Sequence, residues 1–264
     1  MEAHYGGVDL SGRIEAALRS AGPVDDPLAW SDLAPLDQFH VRGLPATLEL
    51  AGALDLGPES RVLDVGAGLG GAARCLAATY GCHVTGIDLS EPFVDAAKLL
   101  TARCGLSERV AFQVADALAL PFDDGAFDVA WTQHVAMNIF DRPRLYGEIA
   151  RVLRAGGLLA IYDVVEGEGG LIFPVPWAQT SETSHLMSPD AMRALLEASG
   201  FSVEIWKDTT AEAIAWFGAA AAAGPRPLGL QVAMGPGFGA MAANLARNLR
   251  EGRARLVQTI LRRV

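Results

Sequence analysis

Cysteine is scarce in this 264-residue chain: Cys75, Cys82 and Cys104 are the three present, and no two of them have CxxC spacing. That argues against a disulfide framework or a thiolate zinc site, and it fits a reducing, cytoplasmic setting. Long apolar runs are missing too. The longest, over 214–223, is about half of what a bilayer crossing requires, and the first dozen residues lack the basic-then-apolar order of a secretory leader. Nor is there a basic stripe. The formal net charge is −10, whereas neutralising nucleic-acid phosphates or an anionic membrane takes clustered Lys and Arg. Arg247, Arg250, Arg253, Arg255, Arg262 and Arg263 gather near the end, but with few aromatics between them they read as a solvated face. The expectation is a soluble chain, long enough to bury roughly 75% of its unfolded surface, with neither nucleic acid nor membrane as partner.

What the chain does have is alternation. From about residue 61, short apolar or β-branched runs take turns with helical patterns: 62–65 then a helix near 70–80, 83–88 then 91–104, 110–115, 127–132 then 142–154, and 158–164. Strands separated by helices pair in parallel through right-handed crossovers. The pattern therefore predicts an α/β fold with a doubly wound, mostly parallel seven-stranded sheet. Ser90 is placed to cap the helix at 91–104, Ser188 followed by Pro189 and Asp190 opens another, and Gly200 stops it. Gly156 and Gly157 read as a turn. A sixth strand is expected at 202–206, then an Ala/Gly/Pro-rich helical insertion over about 208–251, serving as a cover or a homodimer surface. Gly252 then gives way to a terminal strand. Residues 1–55 precede the sheet and look helical in parts, most clearly at 47–54. They form a helical lid or substrate segment, with 56–264 the cofactor-binding domain.

The stretch RVLDVGAGLGGAARCLA, residues 61–77, carries the most chemistry. Gly66, Gly68 and Gly71 satisfy G-x-G-x-x-G between a strand and a helix, as a dinucleotide site would. The same residues also read D-x-G-x-G-x-G, with Asp64 inside the strand end. A pyrophosphate would be repelled by that carboxylate, whereas the ammonium on the amino-acid tail of S-adenosylmethionine would be attracted. Asp88, about 20 residues on, can accept both ribose hydroxyls of either ligand. Asp116, at the end of the third strand, can accept from an adenine amino group or start a local turn.

With three carboxylates at three successive strand ends, followed by "LPFDDGAFDVAWTQHVAMNI" and "EIARVLRAGGLLAIYDV", the chain from about 36 to 206 resembles the class I S-adenosylmethionine-dependent methyltransferases. The resemblance implies their Rossmann-like fold, S-adenosylmethionine as cofactor with S-adenosylhomocysteine as product, and a small-molecule methyl acceptor. It places Asp64, Gly66, Gly68, Asp88, Leu89, Asp116, Ala117 and Gln133 around the cofactor. "LDQFHVRGLPAT" and "HYGG" also resemble the N-terminal lid of a branch that includes glycine and sarcosine N-methyltransferase-like, tocopherol-type and natural-product enzymes. That implies Tyr5 near the amino-acid end of the cofactor.

Ligands of doubly wound sheets lie beyond the carboxyl ends of the strands. The acceptor is therefore expected near the segments after strands four and five and near the N-terminal segment. Phe39, Met137, Asn138 and Trp177 are the expected substrate contacts, with Pro174 and Pro176 as further wall. His134 is the first candidate for a general base and His40 the second, each with a structural alternative, while His83 and His185 read as ordinary. Beyond Asp163 and Asn138 no carboxylate and Asn cluster offers a metal site. The leading reading is transfer to nitrogen or oxygen, less readily carbon, by in-line positioning. The alternatives are a nicotinamide-dependent oxidoreductase and a non-catalytic nucleotide-binding protein on the same fold.

Overall fold

The computed structural model describes residues 9–21, 27–223 and 228–264. Its single sheet has seven strands, β1 (Arg61–Val65), β2 (His83–Asp88), β3 (Val110–Val114), β4 (Phe127–Gln133), β5 (Leu153–Glu166), β6 (Phe201–Asp208) and β7 (Ala254–Arg263), in the order β3-β2-β1-β4-β5-β7-β6. The first five pair in parallel, and β7 runs antiparallel to both β5 and β6. After β1 the chain builds outward through β2 and β3, then returns to place β4 on the other side. The crevice where a ligand of a doubly wound sheet binds therefore opens beyond the carboxyl ends of β1 and β4.

The helices are α1 (Leu10–Ser20), α2 (Ala34–Asp37), α3 (Leu44–Ala51), α4 (Gly71–Tyr80), α5 (Glu91–Arg103), α6 (Arg142–Val152), α7 (Pro189–Ala198), α8 (Thr210–Ala223), α9 (Gln231–Met234) and α10 (Phe238–Arg250). Both faces of the sheet are covered, so its inner strands read as unbroken apolar runs rather than alternating ones. Side chains still alternate between the layers. Val62, Val129 and Ala160 face a core shared with α3, α4, α8 and α10, through Leu50, Leu76, Ala213 and Leu245. Leu63, Ala130 and Leu159 face the opposite core, filled by Leu145 and Ile149 of α6 and Leu196 of α7.

Several boundaries differ from the sequence reading, for local reasons. The helix expected at 47–54 spans Leu44–Ala51, with Pro45 in its first turn, where a missing N–H costs nothing. Ser90 occupies the N-cap position of α5, yet its hydroxyl makes no capping bond; instead its N–H donates to Asp88 Oδ1 at 2.9 Å. Ser188 does cap α7, accepting from Ala191 N. Strand β5 begins at Leu153, opposite Phe127, and rejoins the ladder at Leu158 opposite Val129. The residues looped out between include Gly156, at φ +70°, and a Cβ on Gly157 would stand 3.0 Å from the Asp128 carbonyl. The terminal strand after Gly252 forms as expected.

The N-terminal segment is fastened to this frame. Leu10, Ile14 and Leu18 of α1 share a core with Leu33, Leu36, and Phe93 and Leu100 of α5. At the end of α2, Asp37 meets Arg74 of α4, a guanidinium with 0% exposure, at 2.8 Å. Arg74 also donates to the carbonyls of Leu69 and Ala97 and to Thr101 Oγ. Its planar fork thus ties the glycine loop, α5 and the N-terminal segment together. Removing one partner of a buried pair leaves an uncompensated charge, so Asp37→Ala is expected to lower unfolding stability by about 3–5 kcal/mol. Chemical denaturation checks this, and the double variant Asp37→Leu/Arg74→Met should recover much of the loss.

Candidate active site

Strand β1 ends in Asp64 and Val65, and the chain then turns at Gly66 with φ +73°. A Cβ on Gly66 would lie 2.5 Å from Val135 Cγ2, so the loop after β1 and the loop after β4 are in contact only because glycine is there. Four amides of the glycine loop are committed within the protein. Gly66 N and Ala67 N donate to the Ile87 carbonyl at 2.9 and 2.8 Å, Gly70 N to Ala67 O at 2.8 Å, and Gly68 N to Asp88 Oδ2 at 2.9 Å. The Asp37 backbone and carboxylate stand against Gly71, at the N-terminus of α4. In a dinucleotide site these amides and this helix end would hold the pyrophosphate. Here those four amides are satisfied by the chain itself.

Asp64 is buried at 3% exposure, and its Oδ2 has no hydrogen-bond partner. Burial, with Asp88 adding like charge, pushes its carboxyl up to about 7. It borders a small recess with Gln38, Phe39, Gly66 and Gln133. Gln133 is oriented by a donor: the Trp131 indole N–H reaches its Oε1 at 3.0 Å, and Thr47 Oγ lies 3.2 Å from the same oxygen. Because indole nitrogen can only donate, the side-chain NH₂ is the outward end, and Nε2 is likewise buried without a partner. An unpaired acceptor and an unpaired donor therefore border one recess. Together they match the ammonium and the carboxylate of an α-amino acid.

The recess shares Phe39, His40, Gly66, Gly68 and Gln133 with a cavity of about 590 Å³, within the range of small-molecule sites. Asp88 lines it. Its two oxygens accept from Gly68 N and Ser90 N, fixing the carboxylate while leaving lone pairs free, and burial raises its pKa. Leu89, Asp116 and Ala117 line it too. Asp116 serves the local turn as well, its Oδ1 accepting from Leu118 N at 2.9 Å.

His134 follows β4 at φ +55°, a left-handed conformation costly for a residue with a Cβ. Its N–H donates to the Tyr162 carbonyl at 2.8 Å, and its ring rests 5.1 Å from that of Tyr162. Nε2 is shielded and unpaired, and the residue lines the cavity. Burial, with His40 nearby, holds its pKa well below the usual imidazole value, so the ring is neutral at pH 7. His40 differs. Its Nδ1 lies 3.2 Å from Val41 O, and its Nε2 3.0 Å from both Gln38 Oε1 and Thr47 Oγ1; burial lowers its pKa to about 4. Both nitrogens of His40 are thus engaged by its neighbours, whereas His134 keeps Nε2 without a partner.

Phe39, Met137, Asn138 and Trp177 all line the cavity, Phe39 edge-on to Phe93 at 5.6 Å and Trp177 held by its indole N–H to Ser184 Oγ at 2.9 Å. Pro176 lines it and Pro174 does not. Tyr5 lies outside the described residues. His185, read as ordinary from sequence, lines the cavity, and its N–H donates to Met137 O at 2.9 Å. Sequence reasoning also missed Trp216, Phe217, Met234, Phe238 and Leu245, whose only signal was an apolar bias in α8–α10. Among the described residues no group of three or more His, Cys, Asp or Glu could hold a metal ion, and no helix is long and apolar enough to cross a membrane.

Comparison with known proteins bears on this geometry directly. The family described as "Methyltransferase domain" matches residues 63–161. An O-methyltransferase of Pyrenophora dematioidea is 33% identical over 200 residues, covering 74% of this chain and 72% of that protein. The chain belongs to the S-adenosylmethionine-dependent methyltransferases. A glycine/sarcosine/dimethylglycine N-methyltransferase of Actinopolyspora halophila is 37% identical over 151 residues, 57% of this chain. Several curated relatives are matched over only 25% to 56% of their own length. Among solved structures, the [4+2]-cyclase SpnF superposes with TM-score 0.66 at 29% identity, covering 83% of this chain and 80% of that one. The nicotinamide reading finds no support, in keeping with a methyltransferase loop whose amides are already spent. Gly66→Ala should cost about 1–3 kcal/mol of stability from strain and clash; thermal unfolding measures it, and Val135→Ala in the same chain should return the clash part and not the φ part.

Proposed function

We propose that this protein transfers a methyl group from S-adenosylmethionine to a nitrogen or oxygen of a small molecule. The observation that carries the reading is the pair of unpartnered buried groups, Asp64 Oδ2 and Gln133 Nε2, bordering one recess beside the glycine loop. A native fold keeps buried polar atoms unpaired at a cost of about 1–3 kcal/mol each, and a zwitterionic amino-acid tail would satisfy both. In this reading Asp88 accepts the ribose hydroxyls, the free oxygen of Asp116 accepts from the adenine amino group, and Leu89 and Ala117 flank the base. The 1–55 segment serves as the lid, contributing Phe39 and the scaffold of His40, Gln38 and Thr47.

When bound, S-adenosylmethionine supplies an electrophilic methyl group on a sulfonium. On transfer the sulfonium becomes a neutral thioether, and the acceptor gains the methyl and loses one proton. The chain's own task is positioning, which can be worth up to about 7–11 kcal/mol, and a place for that proton. In this reading neutral His134, which lines the cavity and whose Nε2 has no partner within the protein, accepts it. A cyclase on this fold means that cofactor binding alone does not establish transfer, so the deciding assay follows label from the cofactor methyl group into an acceptor. His134→Ala is expected to lower kcat by about 10²-fold or more with S-adenosylhomocysteine affinity within twofold of the parent; an unchanged kcat at saturating acceptor removes His134 from the reaction.

Asp64 sets a pH dependence whose sign is fixed. Its carboxyl is half-protonated near pH 7 in the free protein, and a cationic ligand binds the ionised form. Affinity for S-adenosylhomocysteine should therefore fall on acidification below about pH 7, by up to about tenfold per pH unit, and level off above it. Calorimetry in buffers of different ionisation enthalpy should show proton release on binding near pH 6.5. Asp64→Asn should abolish both the slope and the release.

A further inference from the structure

The cavity has two unlike halves. Beyond the end lined by Asp88 and Asp116, next to the recess of Asp64, its walls are aromatic and aliphatic: Met137 after β4, Trp177 after β5, Trp216 and Phe217 on α8, and Leu245 on α10. Trp216 and Phe217 pack edge to face at 5.0 Å, leaving ring surface toward the cavity. Apart from Met137, these residues lie outside the part of the chain that matches the methyltransferase-domain family, 63–161. They are also held in place. Asn248 of α10, 0% exposed, accepts from Ile172 N at 2.8 Å and donates to Ile172 O at 3.0 Å, and Asn244 donates to Pro174 O at 2.9 Å. The wall segment after β5 is thus stapled to the helix opposite it.

Charge in the cavity has one sign. Among the described lining residues, the side chains with full charges are Asp88, Asp116 and Asp141, and none is Lys or Arg. The whole chain carries −10. An acceptor with a carboxylate or phosphate would enter against this field and would leave its anion desolvated against indole and aliphatic surface, where an unpaired charge is strongly disfavoured. The polar groups that reach the apolar half, His134, Asn138 and His185, are able to orient a neutral hydroxyl.

We infer that the acceptor half of the cavity selects an uncharged, ring-bearing apolar alcohol or phenol and rejects carboxylate- and phosphate-bearing molecules, with Trp216, Phe217 and Leu245 as the specificity wall. This rests on the methyl-transfer reading for the position of the cofactor half, and the test separates the two. Full-length protein is first titrated with S-adenosylhomocysteine by calorimetry; no binding at that stage defeats the methyl-transfer reading. The saturated protein is then titrated at pH 7.5 with 2-naphthol, which is neutral, and with 2-naphthoate, its anionic counterpart of the same ring system. The expected result is naphthol affinity at least tenfold above that of naphthoate. Equal affinities, tighter naphthoate, or no binding of either probe to the saturated protein overturns the inference. Two variants add direction. Trp216→Ala should weaken naphthol at least tenfold while leaving S-adenosylhomocysteine affinity within twofold. Ala242→Arg, which puts a cation on the α10 side of the same cavity, should reverse the preference toward naphthoate. A variant that keeps S-adenosylhomocysteine binding is folded, so an unchanged naphthol preference in both would also overturn the assignment.

Discussion

Asp64 sits almost fully buried at the end of an inner strand with one oxygen unbonded, and a carboxylate in that state must either protonate or find a cation. The rest of the functional end follows from this constraint. Asp88, on the neighbouring strand, adds a second negative group rather than relief. The glycine loop between them turns its amides back to the Ile87 carbonyl and to Asp88 instead of toward Asp64. The protein keeps an electrostatic deficit in place, and the complement of that deficit is a cationic amine next to a polar nucleoside. A phosphate ligand would require the opposite arrangement, with free amides and no carboxylate at the strand end.

Holding such a site open requires rigidity around it, and the chain builds that rigidity from buried hydrogen bonds. Arg74 joins the start of α4 to α5 and to Asp37. The residue after Asp37 then enters a second network in which Gln38, His40, Thr47 and Gln133 share acceptors within 2.7 to 3.2 Å. Thr47 and Gln133 are 86 residues apart in sequence. Fixing Gln133 through Thr47 and Trp131 makes its free NH₂ an oriented donor, which is worth more than a mobile one because no ordering entropy remains to be lost on binding. The N-terminal segment thus reaches the cavity in two ways: Phe39 forms a wall, and Thr47 contacts Gln133 of β4.

Local patterns made much of the fold legible in the sequence. The β-α alternation, the strand-turn-helix around Gly66–Gly71 and the helix stop at Gly252 are short-range signals, and each appears where the pattern placed it. Helix starts at Gly71, Glu91 and Arg142 also lie within a residue of the reading, whereas α3 begins three residues early, at Leu44. At Ser90 the right residue type occupies the cap position, but its hydroxyl makes no capping bond, and its own N–H is held by Asp88 two residues upstream. The two histidines were separable only in three dimensions. His40 and His134 are both cavity-lining imidazoles, and what distinguishes them is that Gln38 and Thr47 close on one ring while the other keeps a free nitrogen. Arg74 gave no sequence signal of its burial, since its partners come from three separate segments. His185 reached the cavity through a loop whose course is set by long-range contacts, such as its own N–H to the Met137 carbonyl.

The acceptor walls show why sequence periodicity reaches its limit there. After β6 the chain leaves the sheet, forms α8–α10, and returns as β7 between β5 and β6. Both ends of this excursion are pinned at one point: Thr209 N donates to the Leu256 carbonyl at 2.8 Å, and Leu256 N donates to Thr210 Oγ at 3.0 Å. A segment closed at its base in this way has already met most of its loop-closure cost at the sheet, and that cost rises only slowly with length. The side chains it lays over the cavity are then free to vary without disturbing strand register. The cofactor half has no such freedom, because Gly66 touches Val135, Asp88 holds Gly68 and Arg74 holds the loop from beneath. On the proposed reading, chemistry falls to strand ends held from several sides and selectivity to a helical cover that the sheet anchors.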